Sequence, residues 1–131
     1  MDGRKLSILT VDDELPVACS IQYALGRPTW QLAAAGNGEE ALAQIQAQEH
    51  PFDLIITDNN MPRVNGLELV RRLRELSFSG KIIVLSAHLS AEVQKAYRAL
   101  NVDRMIHKPF SVRELCHIVE EVSAVDLTMK G

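Results

Sequence analysis

Three carboxylates, one hydroxyl and one ammonium group stand directly after apolar runs in this sequence of 131 residues. The residues that carry them are Asp12, Asp13, Asp58, Ser86 and Lys108. The run before Asp58 covers residues 54–57, with Pro51 ahead of it and Asn59 behind it. Short apolar runs between turn residues predict strands that are buried on both faces. Because open α/β sheets bind ligands at the carboxyl ends of their strands, these side chains are candidates for one shared site.

The residue types at this edge suit phosphoryl chemistry with a hard cation. Mg²⁺ takes few protein carboxylates and leaves positions for phosphate oxygens, so Asp12, Asp13 and Asp58 could hold it. A backbone carbonyl just past Asp58 would complete the set. A carboxylate beside Mg²⁺ can attack phosphorus and form an acyl phosphate. Because the transition state spreads negative charge over oxygen atoms, the Lys108 ammonium and the Ser86 hydroxyl are suitable partners for it.

Amphipathic segments separate the apolar runs and predict five helices. They cover approximately residues 16–25, 37–48, 66–76, 90–101 and 111–122. Asn37, Ser90 and Ser111 can cap three of these helices at the N-terminus. Glu40 and Glu114 stand where a capping box needs an acid.

Strand and helix alternate five times, which predicts a parallel sheet with right-handed crossovers and helices on both faces. The length fits one domain, which we expect over residues 1–123. Residues 124–131 then form a short C-terminal tail, a position where fraying is common.

Composition limits the classes of protein to which this chain can belong. The apolar fraction of 47% excludes a disordered chain, and the net charge of −3 gives no electrostatic reason to expect nucleic-acid binding. No apolar stretch approaches the length of a membrane span, and residues 1–5 lack the apolar region of a signal peptide. Cys19 and Cys116 have no metal-ligand spacing and are expected to be buried thiols. We therefore expect a cytoplasmic protein that does not contact the membrane.

Several motifs extend the pattern along essentially the whole chain. They are VDDE at residues 11–14, DLIITDNNMP at 53–62, Asn65-Gly66, IIVLSA at 82–87 and HKPF at 107–110. In combination they resemble the receiver domain of bacterial two-component response regulators. The resemblance implies a flavodoxin-like (βα)5 fold, with a five-stranded parallel sheet in the order 2-1-3-4-5 and helices on both faces.

The resemblance also implies a role for each candidate residue at its matching position. The catalytic positions are Asp58 as the phosphoacceptor, Lys108 in contact with the phosphoryl group, and Ser86 as the switch hydroxyl. The metal positions are Asp12, Asp13, Asp58 and the backbone carbonyl of Asn60, with Mg²⁺ as the cofactor.

The function implied is phosphorelay signal transduction. A histidine kinase or a histidine phosphotransfer protein would donate the phosphoryl group to Asp58 in an Mg²⁺-dependent reaction. The chain would then change its surface for a downstream output domain or protein, and a dimer through the fourth helix, fifth strand and fifth helix is a further expectation. Such a receiver takes part in its own phosphorylation and dephosphorylation, and it is not an enzyme acting on another molecule.

The chain departs from the family pattern at one position. Family members commonly carry Tyr or Phe three residues before the lysine, where this chain has Met105. Because methionine is flexible, we expect weaker coupling of Asp58 to the surface, or coupling through the backbone of residues 87–90. His88 is close enough to the predicted site to touch its chemistry, whereas His107 is expected at the surface. Lys108-Pro109 is a candidate cis peptide bond.

Three alternatives compete with this interpretation. A haloacid-dehalogenase-like phosphatase also uses an aspartyl nucleophile after a strand, but it needs a second Asp where this chain has Asn60. A P-loop kinase is suggested only by Gly80-Lys81, and the glycine required five residues earlier is Glu75. A pseudo-receiver that never takes phosphate is the third alternative, against which the intact acids and Lys108 argue.

Overall fold

The computed structural model describes residues 5–61 and 64–130, with residues 124–130 described by their backbone alone. Strands and helices alternate throughout this part of the chain. The strands are β1 (Leu6–Val11), β2 (Trp30–Ala35), β3 (Leu54–Asp58), β4 (Lys81–Ser86) and β5 (Arg104–His107). The helices are α1 (Leu15–Ala24), α2 (Gly38–Ala47), α3 (Gly66–Glu75), α4 (Ala91–Ala99) and α5 (Val112–Lys130). Residues 1–4 and Pro62, which the sequence analysis used, lie outside the described residues.

The strands form one parallel sheet in the order β2-β1-β3-β4-β5. This order confirms the flavodoxin-like prediction. Every residue of the central strand β3 is buried, because helices cover both faces of the sheet there. The apolar runs of the sequence thus correspond to interior strands, as their composition indicated.

Successive residues of β3 supply two separate cores. Ile55 belongs to a buried cluster that includes Leu69 of α3, whereas Leu54 and Ile56 belong to a cluster that includes Leu115 of α5. The separation follows from the strand period, since neighbouring side chains point to opposite faces. Full burial of each such side chain contributes about 1.5–3 kcal/mol. These two cores hold the carboxyl edge of the sheet in place.

The predicted helix caps are present. The Asn37 side chain accepts a hydrogen bond from Glu40 N at 2.8 Å, and the Glu40 carboxylate accepts one from Gly36 N at 2.8 Å. Ser111 and Glu114 bond reciprocally, each backbone N–H donating to the other side chain at 3.0 Å. Capping satisfies backbone donors that the first turn of a helix otherwise leaves unpaired.

Some element boundaries and one burial prediction differ from the sequence analysis. β5 begins at Arg104, whereas the run before Lys108 predicts a strand from Val102, and α5 continues to Lys130 through the segment predicted as a tail. The prediction that both cysteines are buried is wrong for Cys19, which is exposed, while Cys116 is partly buried. Cys19 lies two residues before the buried Ile21 on α1, and this spacing places it on the opposite, solvent side of the helix.

In the part of the chain that the structure describes, two residues other than glycine have left-handed backbone conformations. Asn101 has φ of 60°, in agreement with its predicted place after α4, and Ser77 after α3 has the same value. Asparagine tolerates this region better than serine does. Within the described ranges, no helix has the length and apolar character needed to cross a lipid bilayer.

Candidate functional site

The register of the sheet brings the candidate residues to one edge. The residue before Asp58 pairs with the residue before Asp12, so both aspartates leave their strands at the same level. Asp58 itself pairs with the residue before Ser86, and Ser86 pairs with the residue before Lys108. Four strands therefore deliver these side chains to neighbouring positions at the carboxyl end of the sheet.

Three carboxylates form a compact cluster at this edge. One oxygen atom from each of Asp12, Asp13 and Asp58 lies within 4.8 Å of the others. Asp12 and Asp58 are each only 4% exposed, while Asp13 faces solvent. Asp12 Oδ2 is buried and has no hydrogen-bond partner among the described residues. A buried carboxylate oxygen without a donor, next to two further carboxylates, is the arrangement that a hard cation satisfies.

Burial raises the pKa of the Asp12 carboxyl above its ordinary value. A hydrogen bond from Glu14 N to Asp12 Oδ1, at 2.9 Å, opposes that shift, whereas the negative charge of Asp58 adds to it. The net direction is upward because desolvation and like charge both disfavour the ionised form. The cluster is therefore electrostatically unfavourable unless positive charge is brought to it.

Lys108 brings one positive charge into the cluster. Its Nζ atom donates to Asp58 Oδ1 at 2.6 Å, and the peptide bond from Lys108 to Pro109 is cis, as predicted. Burial lowers the pKa of Lys108, but the hydrogen bond and charge of Asp58, with further acidic neighbours, outweigh burial and raise the pKa overall. The side chain therefore stays an ammonium at neutral pH. It can offset negative charge next to Asp58.

The Ser86 hydroxyl is engaged by its own loop. It donates to the backbone oxygen of His88 at 3.0 Å and accepts from the His88 backbone N–H at 3.2 Å. To donate to a ligand at Asp58, the hydroxyl must release the His88 carbonyl. His88 and His107 are both exposed, and His88 meets Ser86 through its backbone.

The loop after Asp58 contains a contact that the sequence analysis missed. Tyr97 of α4 is fully buried, and its hydroxyl donates to Asn59 Oδ1 in a short hydrogen bond. The helical spacing of Val93, Tyr97 and Leu100 was the available signal, and it indicates burial on one face of α4. It does not reveal which group the hydroxyl meets, because that depends on how α4 packs against the sheet.

Three further positions that the sequence analysis named can be located in the fold. Asn60, whose backbone carbonyl was predicted as a metal ligand, is exposed at the same edge as Asp58. Met105 is partly buried against the cluster that contains Tyr97. Gly80-Lys81 opens β4 at the opposite edge of the sheet, which is inconsistent with a phosphate-binding loop at the site.

Comparison with known proteins agrees with this geometry. The family model for the response regulator receiver domain matches residues 8–120. The virulence sensor protein BvgS of Bordetella bronchiseptica is 35% identical over 126 residues, which cover 91% of this chain and 10% of BvgS. The alkaline phosphatase synthesis transcriptional regulatory protein PhoP of Bacillus subtilis is 33% identical over 108 residues, covering 82% of this chain and 44% of PhoP. The chain thus spans less than half the length of these two relatives.

Solved structures show the same architecture over nearly their whole length. The chemotaxis protein CheY4 of Vibrio cholerae superimposes with a TM-score of 0.82 at 29% identity, covering 90% of this chain and 98% of CheY4. A CheY-like receiver domain protein of Methanospirillum hungatei has a TM-score of 0.87 at 25% identity, covering 97% of this chain and 99% of that protein. From the matched sequence, the shared fold and the acidic cluster, we conclude that this chain belongs to the response regulator receiver domain family of two-component signalling.

Proposed function

We propose that this receiver domain accepts a phosphoryl group on Asp58 from a histidine kinase or a histidine phosphotransfer protein in an Mg²⁺-dependent reaction. The observation that carries the proposal is the 2.6 Å contact between Lys108 Nζ and Asp58 Oδ1 beside two further carboxylates. This arrangement supplies a nucleophile and a fixed positive charge at one point. Phosphoryl transfer needs little more than positioning and charge stabilisation.

Mg²⁺ fits the donor set at this edge. The carboxylates of Asp12, Asp13 and Asp58 and the backbone carbonyl of Asn60 would hold it, and all are hard oxygen donors. Support comes from the buried Asp12 Oδ2 atom, which has no donor within the described part of the chain. When bound, the ion supplies positive charge to the phosphoryl oxygens and offsets repulsion among the carboxylates.

The chain's own residues would carry the transfer step. A carboxylate oxygen of Asp58 forms a bond to phosphorus while the bond from phosphorus to the donor imidazole nitrogen breaks, and the electron pair leaves with the imidazole. The Lys108 ammonium offsets charge on the phosphoryl oxygens. The Ser86 hydroxyl turns from the His88 carbonyl to donate to one of those oxygens. Because the phosphoryl group ends on the chain's own side chain, we class the protein as a phosphoacceptor and not as an enzyme acting on another molecule.

We propose that the surface that changes for a downstream partner is the face formed by α4, β5 and α5. On this face Arg104 of β5 pairs with Glu121 of α5 at 3.0 Å, with both side chains half-exposed. Such exposed pairs contribute little to folding and can exchange for pairs with a partner. A downstream output domain or a second copy of the chain would bind here.

We propose a cytoplasmic location because Cys19 and Cys116 are both free thiols.

The test is phosphorylation by acetyl phosphate with Mg²⁺, followed by intact mass. We expect the parent to gain the mass of one phosphoryl group and Asp58→Asn to gain none, because asparagine keeps the volume but lacks the nucleophile. Glu49→Gln, at an exposed acid away from the cluster, is the control and should be labelled like the parent. Equal labelling of Asp58→Asn would mean that the acceptor lies elsewhere. A parent that takes no phosphate and shows no spectral change with beryllofluoride would instead be a pseudo-receiver.

A further inference from the structure

Tyr97 joins helix α4 to the residue that follows the phosphoacceptor. Its side chain is 0% exposed, and its hydroxyl donates to Asn59 Oδ1. Burial raises the pKa of Tyr97, and the negative charge of Asp58 raises it further. The hydroxyl therefore remains protonated at any physiological pH and acts as a constant donor.

Among the described residues Asn59 makes four hydrogen bonds, two through its backbone and two through its side chain. Its N–H donates to Leu85 O of β4 at 2.9 Å, and its carbonyl accepts from Gly66 N at the start of α3 at 3.0 Å. Its side chain accepts from the Tyr97 hydroxyl and donates to Asn60 Oδ1 at 3.3 Å. Together these bonds restrict the chain between Asp58 and Asn60, the two residues on either side. Both are proposed ligands of the metal.

The close packing around Gly66 shows how tightly these groups are assembled. A β carbon added at Gly66 would lie 2.7 Å from the Tyr97 hydroxyl oxygen, 2.8 Å from Asp58 O and 2.9 Å from Asn59 Cα. The hydroxyl, the first turn of α3 and the end of β3 therefore meet with no room for a methyl group. The Tyr97 hydroxyl has little freedom to leave Asn59 for another acceptor.

We propose that Tyr97 is a positioning residue for the metal and phosphoryl site, acting through its hydrogen bond to Asn59. The bond fixes the backbone that carries the Asp58 carboxylate and the Asn60 carbonyl, so their oxygens are oriented before a cation arrives. Preorganised ligands bind more tightly because less conformational freedom is lost on binding. The inference rests on the proposed function, since it concerns the same Mg²⁺ site.

The linkage also runs in the opposite direction. If the Tyr97–Asn59 bond favours Mg²⁺ binding, then Mg²⁺ favours that bond and the position of α4 that makes it, by the same factor. The proposed output face includes α4. Tyr97 thus connects the site to that face through the interior of the protein. This chain has Met105 on β5, where family members commonly carry an aromatic residue, and Met105 packs against the same cluster as Tyr97.

The test compares Tyr97→Phe with Tyr23→Phe, which makes the same change at a side chain that is 87% exposed. Calorimetry measures the Mg²⁺ dissociation constant, and acetyl phosphate labelling measures the rate at increasing Mg²⁺. For Tyr97→Phe we expect Mg²⁺ affinity to fall about two- to tenfold, the range that corresponds to one neutral hydrogen bond. The labelling rate should return to the parent value at saturating Mg²⁺. Tyr23→Phe should match the parent in both measurements.

A second variant keeps the result independent of any general loss of stability. Asn59→Ala removes the acceptor together with the 3.3 Å bond from Asn59 Nδ2 to Asn60 Oδ1. The double variant with Tyr97→Phe should bind Mg²⁺ no more weakly than Asn59→Ala alone, because Asn59→Ala has already broken the bond that Tyr97→Phe removes. Additive losses, or parental Mg²⁺ affinity in Tyr97→Phe, would overturn the inference. If the parent is labelled normally in that case, the proposed function stands. If Mg²⁺ affinity depends on the Tyr97–Asn59 bond as expected but the parent takes no phosphate, only the proposed function is refuted.

Discussion

Replacing Asp13 by asparagine removes one negative charge from the carboxylate cluster while keeping the size of the side chain. We expect this variant to be more stable than the parent when Mg²⁺ is absent. The oxygens of Asp12, Asp13 and Asp58 lie within 4.8 Å of one another, so two repulsive pairs disappear. At 4.8 Å a pair of unit charges interacts with about 0.9 kcal/mol in water and about 3.5 kcal/mol at a dielectric constant of about 20.

The lower value applies to this change because Asp13 is exposed. Two pairs then give a relief of about 2 kcal/mol. Asparagine also removes an acid near the N-terminus of α1, where negative charge contributes about 0.3–1 kcal/mol of stability. We therefore expect the free energy of unfolding to rise by about 1 kcal/mol, which corresponds to an increase in Tm of about 3–5 °C for a domain of this size.

The assay is urea and thermal unfolding at low ionic strength, with EDTA and then with Mg²⁺. At a Mg²⁺ concentration of about one hundred times its dissociation constant the parent gains about 2.7 kcal/mol, and Asp13→Asn should gain less because it has lost a ligand. Glu49→Gln, which makes the same change in net charge at an exposed site away from the cluster, is the control and should change stability by less than about 0.5 kcal/mol. A lower stability of Asp13→Asn in EDTA, or an equal response to Mg²⁺, would refute the reasoning.

The same cluster makes a prediction about pH. The folded-state pKa of Asp12 is raised, so the folded protein holds that proton more tightly than the unfolded chain does. Unfavourable charge on Asp12 is therefore present above the raised pKa and is lost as pH falls through it. As pH falls through the raised pKa of Asp12, the difference in free energy of unfolding between Asp13→Asn and the parent should become smaller, because Asp12 then no longer repels Asp13. A difference that stays constant down to the ordinary pKa of aspartate would contradict this account.

Two further predictions concern the backbone. Gly66→Ala should lower the free energy of unfolding by about 1–3 kcal/mol, because its β carbon would lie 2.7 Å from the Tyr97 hydroxyl oxygen; unchanged stability in urea unfolding would mean that the contact relaxes freely. Ser77→Gly should raise stability by up to about 1 kcal/mol, since glycine adopts the left-handed conformation of Ser77 without strain. Asn101→Gly is its control and should gain less, because asparagine already tolerates that conformation; the reverse order would contradict the argument.

Much of the site could be predicted from local patterns. Asp58 and Ser86 end β3 and β4 as expected, because apolar runs fix where interior strands lie and the polar residue after each run must leave the core. The capping residues Asn37 and Ser111 were predictable for a similar reason, since a cap depends on residues within four positions of it.

Other properties depended on how distant segments pack, and only the tertiary structure decided them. The Tyr97 hydroxyl meets Asn59, 38 residues away in sequence, because α4 covers the edge of the sheet at that point. Burial of Tyr97 was readable from helical spacing, but the acceptor of its hydrogen bond was not. Likewise the sequence placed Ser86 at the site without showing that its hydroxyl bonds to the backbone of His88. Periodicity reports which side of an element is buried, whereas hydrogen-bond partners are set by the relative positions of elements, which no local pattern encodes.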